Sequence, residues 1–143
     1  MTIGFYVQSL GDPAIGPISS CIAESLHTKA IDDAVIFYDE VAPMNTQVPC
    51  SLQNACDLWS FSGSLFIHNI ELINKANNIV NDIDIYYYLG LEKINTLAIL
   101  HLMPNIKGVV CASKDALEQF KRITNSDNST VIENYKNIAS VTT

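Results

Sequence analysis

The stretch Ser9-Leu-Gly-Asp-Pro-Ala-Ile-Gly-Pro-Ile-Ser-Ser20 is the part of the chain best equipped to hold a ligand. Gly11 and Gly16 carry no side chain, so a ligand can approach the backbone closely there. The helix predicted to follow offers unpaired N–H groups to an anion or a sugar hydroxyl. Asp12 and Ser19 add polar side chains to the same stretch. The spacing is not G-x-G-x-x-G, and no later acidic residue matches the ribose partner of a dinucleotide site. The competing reading is a plain strand–helix turn.

Asp39, Glu40 and Glu92 are carboxylates that can accept hydrogen bonds from hydroxyls or act as bases, and solvated strand-end charges are the simpler reading. Ser62, Gly63, Gly90 and Ser113 follow predicted strands and complete the candidate ligand-binding set. No catalytic residue is assigned. His68 and His101 lie in helical stripes without a partner at metal-ligand spacing, so no metal site and no cofactor is predicted. His27 reads as a charge favoured by a helix C-terminus. Cys111 precedes Ser113 with no histidine assignable as its base, which argues against a nucleophile. Tyr86, Tyr87 and Tyr88 alternate across a strand, and they and Trp59 read first as core.

These residues need a scaffold, and the chain alternates apolar runs with helical patterns. Ile3–Val7, Ala34–Tyr38, Leu58–Phe61, Asp84–Leu89, Lys107–Ala112 and Thr130–Ile132 read as strands. Helices are predicted from Pro17 to about His27–Ala30, through Leu65–Ala76, over Glu92–Leu102, and after Ser113 as N-cap. In the third of these, Ile94, Leu97, Ala98 and Leu102 are expected to point inward. The segment Val41–Ala55, with Pro43 and Pro49, reads as a loop. The implied fold is a three-layer Rossmann-like α/β domain over residues 1–136, with a polar tail at 137–143. Its sheet is mainly parallel, of about six strands, with helices on both faces. A ligand in such a sheet lies beyond the carboxyl ends of the strands, where their order reverses.

Composition narrows the partners. The 143 residues are 48% hydrophobic and 16% charged, which fits one folded domain rather than disorder. A net charge of −7, with eight scattered Lys and Arg, argues against nucleic acid and anionic membranes. No apolar run reaches the roughly 18 residues of a membrane span. The N-terminus lacks a secretory pattern, so a cytoplasmic location is expected. The four cysteines form no C-x-x-C pair and read as free thiols, with a Cys50–Cys56 disulfide as the lesser alternative.

The segment Lys107-Gly-Val-Val-Cys-Ala-Ser113-Lys-Asp-Ala-Leu-Glu-Gln-Phe-Lys-Arg, followed by Ser129-Thr-Val-Ile-Glu-Asn134-Tyr135, resembles the end of the N-terminal, acceptor-side domain of GT-B glycosyltransferases. There a strand and a serine-capped helix lead to a short strand ending near an Asn. The opening strand and Gly11–Gly16 loop, and Ile85-Tyr-Tyr-Tyr-Leu-Gly-Leu-Glu92, resemble that family too. The resemblance implies a glycosyltransferase-like, carbohydrate-binding domain that is degenerate or depends on a partner for the donor. Its implied partners are a glycan or glycosylated acceptor and a protein supplying a donor-binding domain; apart from the resemblance, a homodimer is a further expected assembly. Many retaining members place a His in the loop after the fourth strand, and the position matched to it here is Leu89. The family's donor-binding second domain has no counterpart in these residues, so a complete transferase is not expected from them. The competing function is a non-catalytic structural or protein-interaction module. A nucleotide or flavodoxin-like carrier would need a phosphate loop richer in Gly, Ser or Thr. A receiver domain would need acidic residues where Gln8-Ser9 stand.

Overall fold

The computed structural model describes residues 2–44, 47–78, 82–89, 97, 100, 101, 104, 106–111, 113–124 and 129–131. Strand β1 (Thr2–Ser9) leads through a tight loop into α1 (Ile15–His27), then β2 (Asp33–Glu40). β3 (Ser51–Asn54) runs into a 3-10 helix, η1 (Ala55–Ser60), and β4 (Gly63–Ile67) follows. After α2 (Ile70–Asn77) come β5 (Ile83–Leu89), β6 (Gly108–Cys111), α3 (Lys114–Thr124) and β7 (Ser129–Val131). The strands form one sheet in the order β3-β2-β1-β4-β5-β6-β7, and every pairing is parallel.

Period-2 alternation divides the apolar side chains between two faces. Tyr6, Phe37, Leu65, Ile67, Ile85, Val109 and Cys111 meet η1, α2 and α3 on one face. Ile3, Phe5, Val7, Ile36, Phe66 and Val110 meet α1 on the other. On that second face Phe5, Phe66 and Tyr86 sit in register on three adjacent strands. Their rings stack at centroid separations of 5.6 and 5.2 Å. This is the expected three-layer Rossmann-like architecture, with helices on both sides of a parallel sheet. No described helix is long and apolar enough to cross a membrane.

The middle of the chain departs from the sequence reading. Leu58–Phe61 is not a strand but the end of η1 and the residue after it. Leu58 and Phe61 are buried while Trp59 is 70% exposed, a spacing of three that suits a 3-10 turn and not a pleat. Trp59 is therefore a surface residue and not core. Ser51–Asn54, read as loop, is the edge strand β3. Leu65 and Ile67, read as helix, belong to strand β4. η1 replaces the usual crossover helix between β3 and β4, and its thinness brings it close to the sheet. A Cβ on Gly4 would lie 2.9 Å from Phe61 Cζ. The helix predicted over Glu92–Leu102 falls mostly outside the described residues. Within it Leu97, Leu100 and His101 are helical, but Leu97 is 80% exposed and does not point inward.

Candidate functional site at the strand-order reversal

The chain leaves β1 toward β2 and β3, then returns to the other side of β1 as β4. The crevice of a doubly wound sheet opens where such a reversal separates the loops at the strands' carboxyl ends. Here the two loops are Leu10–Ala14 after β1 and His68–Asn69 after β4. Between them lies an open cleft of about 560 Å³ lined by Asp12, Pro13, Ala14, His68, Asn69, Ile70 and Tyr87. A second cleft of about 320 Å³ lies along the same β1 loop, between Leu10–Gly16 and the Pro43-Met44 segment.

The β1 loop is wound on itself. Ser9 Oγ accepts from Gly11 N–H at 3.1 Å, and Ser9 C=O accepts from Asp12 N–H at 3.1 Å. Asp12 Oδ1 accepts from Ala14 N–H at 2.9 Å, and its carbonyl accepts from Ile15 N–H at 3.1 Å. An aspartate folding back on the backbone two residues ahead is a local turn device. It spends on Asp12 two of the N–H groups that a helix start otherwise leaves unpaired.

The β4 loop is fixed by Asn69. Its Oδ1 caps α2 by accepting from Glu71 N–H at 3.0 Å, and its Nδ2 donates to Gln8 Oε1 at 3.4 Å. That amide bridges the ends of β1 and β4 across the reversal. His68 stands between Asn69 and the end of β4, with its ring 4.7 Å from that of Tyr88. Burial pushes its pKa down to about 4, against the opposing pull of the Asp12 carboxylate. The ring is therefore neutral at pH 7, and a neutral imidazole offers one donor and one acceptor.

The candidates from sequence are partly assembled here. Gly11, Asp12 and Gly16 line the clefts. A Cβ on Gly16 would meet nothing within 4 Å, so that glycine is not required by close packing. Ser19 stands apart from these clefts. It is buried on the flank of α1, donates to the carbonyl of Gln47 at 2.9 Å, and lines a different groove. Ser62 and Gly63 are corrections. They precede and open β4 instead of ending a strand, so they lie at the amino-terminal end of the strands, opposite the cleft. Ser113 is a helix cap, accepting from Ala116 N–H at 3.2 Å through Oγ. Gly90 and Glu92 lie outside the described residues, as do Asn134 and Tyr135.

His68, Asn69 and Tyr87 were not among the predicted ligand-binding residues. The signal for the first two was the polar pair His68-Asn69 interrupting an apolar run, with Asn69 a good cap for the helix beginning at Ile70.

Asp39 is committed elsewhere. It accepts from Tyr6 Oη–H at 2.7 Å and pairs with Lys75 Nζ at 3.0 Å. Burial and this carboxylate raise the Tyr6 pKa and keep its hydroxyl protonated. Tyr6→Phe leaves the Lys75 pair intact and removes one bond to a charged group. Its expected cost is about 1–2 kcal/mol, read from urea unfolding.

Cys21, Cys50, Cys56 and Cys111 are all free, which leaves no Cys50–Cys56 disulfide. Burial pushes the Cys111 thiol up to about 11, so it is a poor nucleophile at pH 7. Among the described residues no cluster of three His, Cys, Asp or Glu is placed to hold a metal ion. Compared with known proteins, the chain matches no family model, no curated protein and no solved structure.

Proposed function

We propose that this domain is the acceptor-side half of a glycosyltransferase-like protein, holding a hydroxyl-bearing ligand in the cleft at the strand-order reversal. A separate domain or protein would supply the sugar donor. The observation that carries the reading is the set of polar residues lining that cleft. Asp12, His68, Asn69 and Tyr87 line one opening, with Tyr87 largely buried and His68 Nε2 enclosed. Mixed donors and acceptors of this kind match the paired donor and acceptor character of sugar hydroxyls. The place of His68 adds support. With β3 counted, the fourth strand is Gly63–Ile67 and the residue after it is His68, while Ile85–Leu89, matched from sequence to the family's fourth strand, becomes part of the fifth. The resemblance to GT-B enzymes expects a histidine in the loop after the fourth strand.

Donor chemistry requires groups that stabilise charge developing on a leaving phosphate. No Lys or Arg is among the described residues lining either cleft. A partner is therefore part of the proposal.

A glycan array probed with the wild-type domain and with Asn69→Asp tests it. The variant keeps the oxygen that caps α2 and loses the amide donor, including its bond to Gln8, and Gln8→Ala, which breaks that bridge alone, is the control. Binding of at least one glycan by the wild type, weakened about tenfold in the variant, is expected for one lost hydrogen bond. Absence of wild-type binding, or unchanged binding by the variant, would refute the assignment.

A further inference from the structure

We infer that the cleft selects uncharged hydroxyl groups and rejects phosphorylated or carboxylated ones; this rests on the site proposed above. A strand–loop–helix at a switch point is ordinarily a place where anions settle, because the helix start presents unpaired N–H groups and positive potential. Here most of that capacity is spent by the chain itself, leaving the Gly16 N–H in the first turn. Asp12 accepts from the N–H groups of Ala14 and Ile15 through its carboxylate and its carbonyl. Pro17, in the first turn of α1, has no N–H to give. The Asp12 carboxylate also brings a negative charge to the helix start, where a bound phosphate would otherwise sit.

No Lys or Arg among the described residues lining the clefts offsets that charge. His68, the remaining basic side chain there, is held neutral at pH 7 by burial. An anionic group entering the cleft would meet Asp12 in a partly desolvated setting, where like charges repel more strongly than in water. A hydroxyl entering the same space carries no charge for Asp12 to repel.

The test uses matched sugars: glucose against glucose 6-phosphate, and N-acetylglucosamine against its 6-phosphate. Binding is followed at the backbone amides of Asp12, Ala14 and Asn69 by heteronuclear NMR. The neutral member of at least one pair is expected to shift those amides, with its phosphorylated counterpart at least about tenfold weaker. Asp12→Asn keeps the oxygen that receives the Ala14 N–H but not the charge. It is expected to narrow the gap to about threefold or less, as removal of a single repulsive charge should. If the phosphorylated sugars bind as tightly as the neutral ones, the charge selection is wrong and the site stands. If the gap persists in Asp12→Asn, Asp12 is not its cause and the inference fails. If no sugar of either kind moves these amides, the proposed site and the inference fall together.

Discussion

Gly63→Ala is expected to destabilise the fold by about 3 kcal/mol and lower its melting temperature by roughly 10 °C. Gly63 opens β4 with φ +132°, a conformation that residues with a Cβ rarely adopt. An added Cβ would also stand 2.9 Å from the carbonyl oxygen of Thr2, which is backbone in the neighbouring strand and cannot rotate away. Strain and collision therefore act together, and neither is relieved by repacking a side chain. Gly16→Ala is the internal comparison. Nothing lies within 4 Å of its added methyl, and alanine is the better helix former, by up to about 1 kcal/mol. Thermal denaturation followed by circular dichroism should thus move in opposite directions for the two variants. An unchanged melting temperature for Gly63→Ala, with ligand binding lost, would return that glycine to the functional site.

Acid should find the fold's weak point at His68. Its folded-state pKa is about 4, against an ordinary value of 6.5. Between those two values the unfolded chain binds a proton that the folded chain excludes. Stability therefore rises with pH through that window and falls as pH drops from 6.5 toward 4. A displacement of this size corresponds to about 3 kcal/mol, lost in full below the folded value. His68→Gln cannot titrate. Urea unfolding of the wild type and this variant at pH 7 and pH 4 should show the wild type losing about 3 kcal/mol more than the variant. Parallel losses in the two proteins would mean that the imidazole takes up its proton without resistance from the fold.

The architecture was legible where a strand was a short apolar run bounded by polar or turn residues. Ile3–Val7, Ala34–Tyr38 and Asp84–Leu89 lie on observed strands, β6 (Gly108–Cys111) falls inside the predicted Lys107–Ala112, and Ser113 caps its helix as expected. The middle third misled for three physical reasons. Leu58-Trp59-Ser60-Phe61 is rich in residues favoured by strands, yet the chain there makes a crossover and buries alternate thirds, not alternate halves. Leu65-Phe66-Ile67 runs almost directly into Ile70-Glu71-Leu72-Ile73, and periodicity cannot divide a buried strand from the helix that follows it. Ser51–Asn54 is an edge strand held by backbone pairing to β2, with no apolar signal to announce it. The same misdivision hid the site. With Leu65 to Ala76 taken as one helix, His68 and Asn69 became helix-interior residues instead of the loop at the reversal. It also placed Ser62 and Gly63 at the wrong end of a strand. Asp12 was recognisable as a candidate residue, but its hydrogen bonds to the start of α1 depend on a turn that composition does not specify.

The margin of the sheet at β3 has a bearing on how this molecule behaves in a crowd. Strand edges are where separate chains recruit one another into extended ribbons, and long apolar edges are the most dangerous. β3 is only four residues long, reads Ser-Leu-Gln-Asn, begins just past Pro49 and curls at once into a tight helical turn. A stray strand arriving there would find few groups to grip and an abrupt end to the track, so this margin guards the molecule against aggregation.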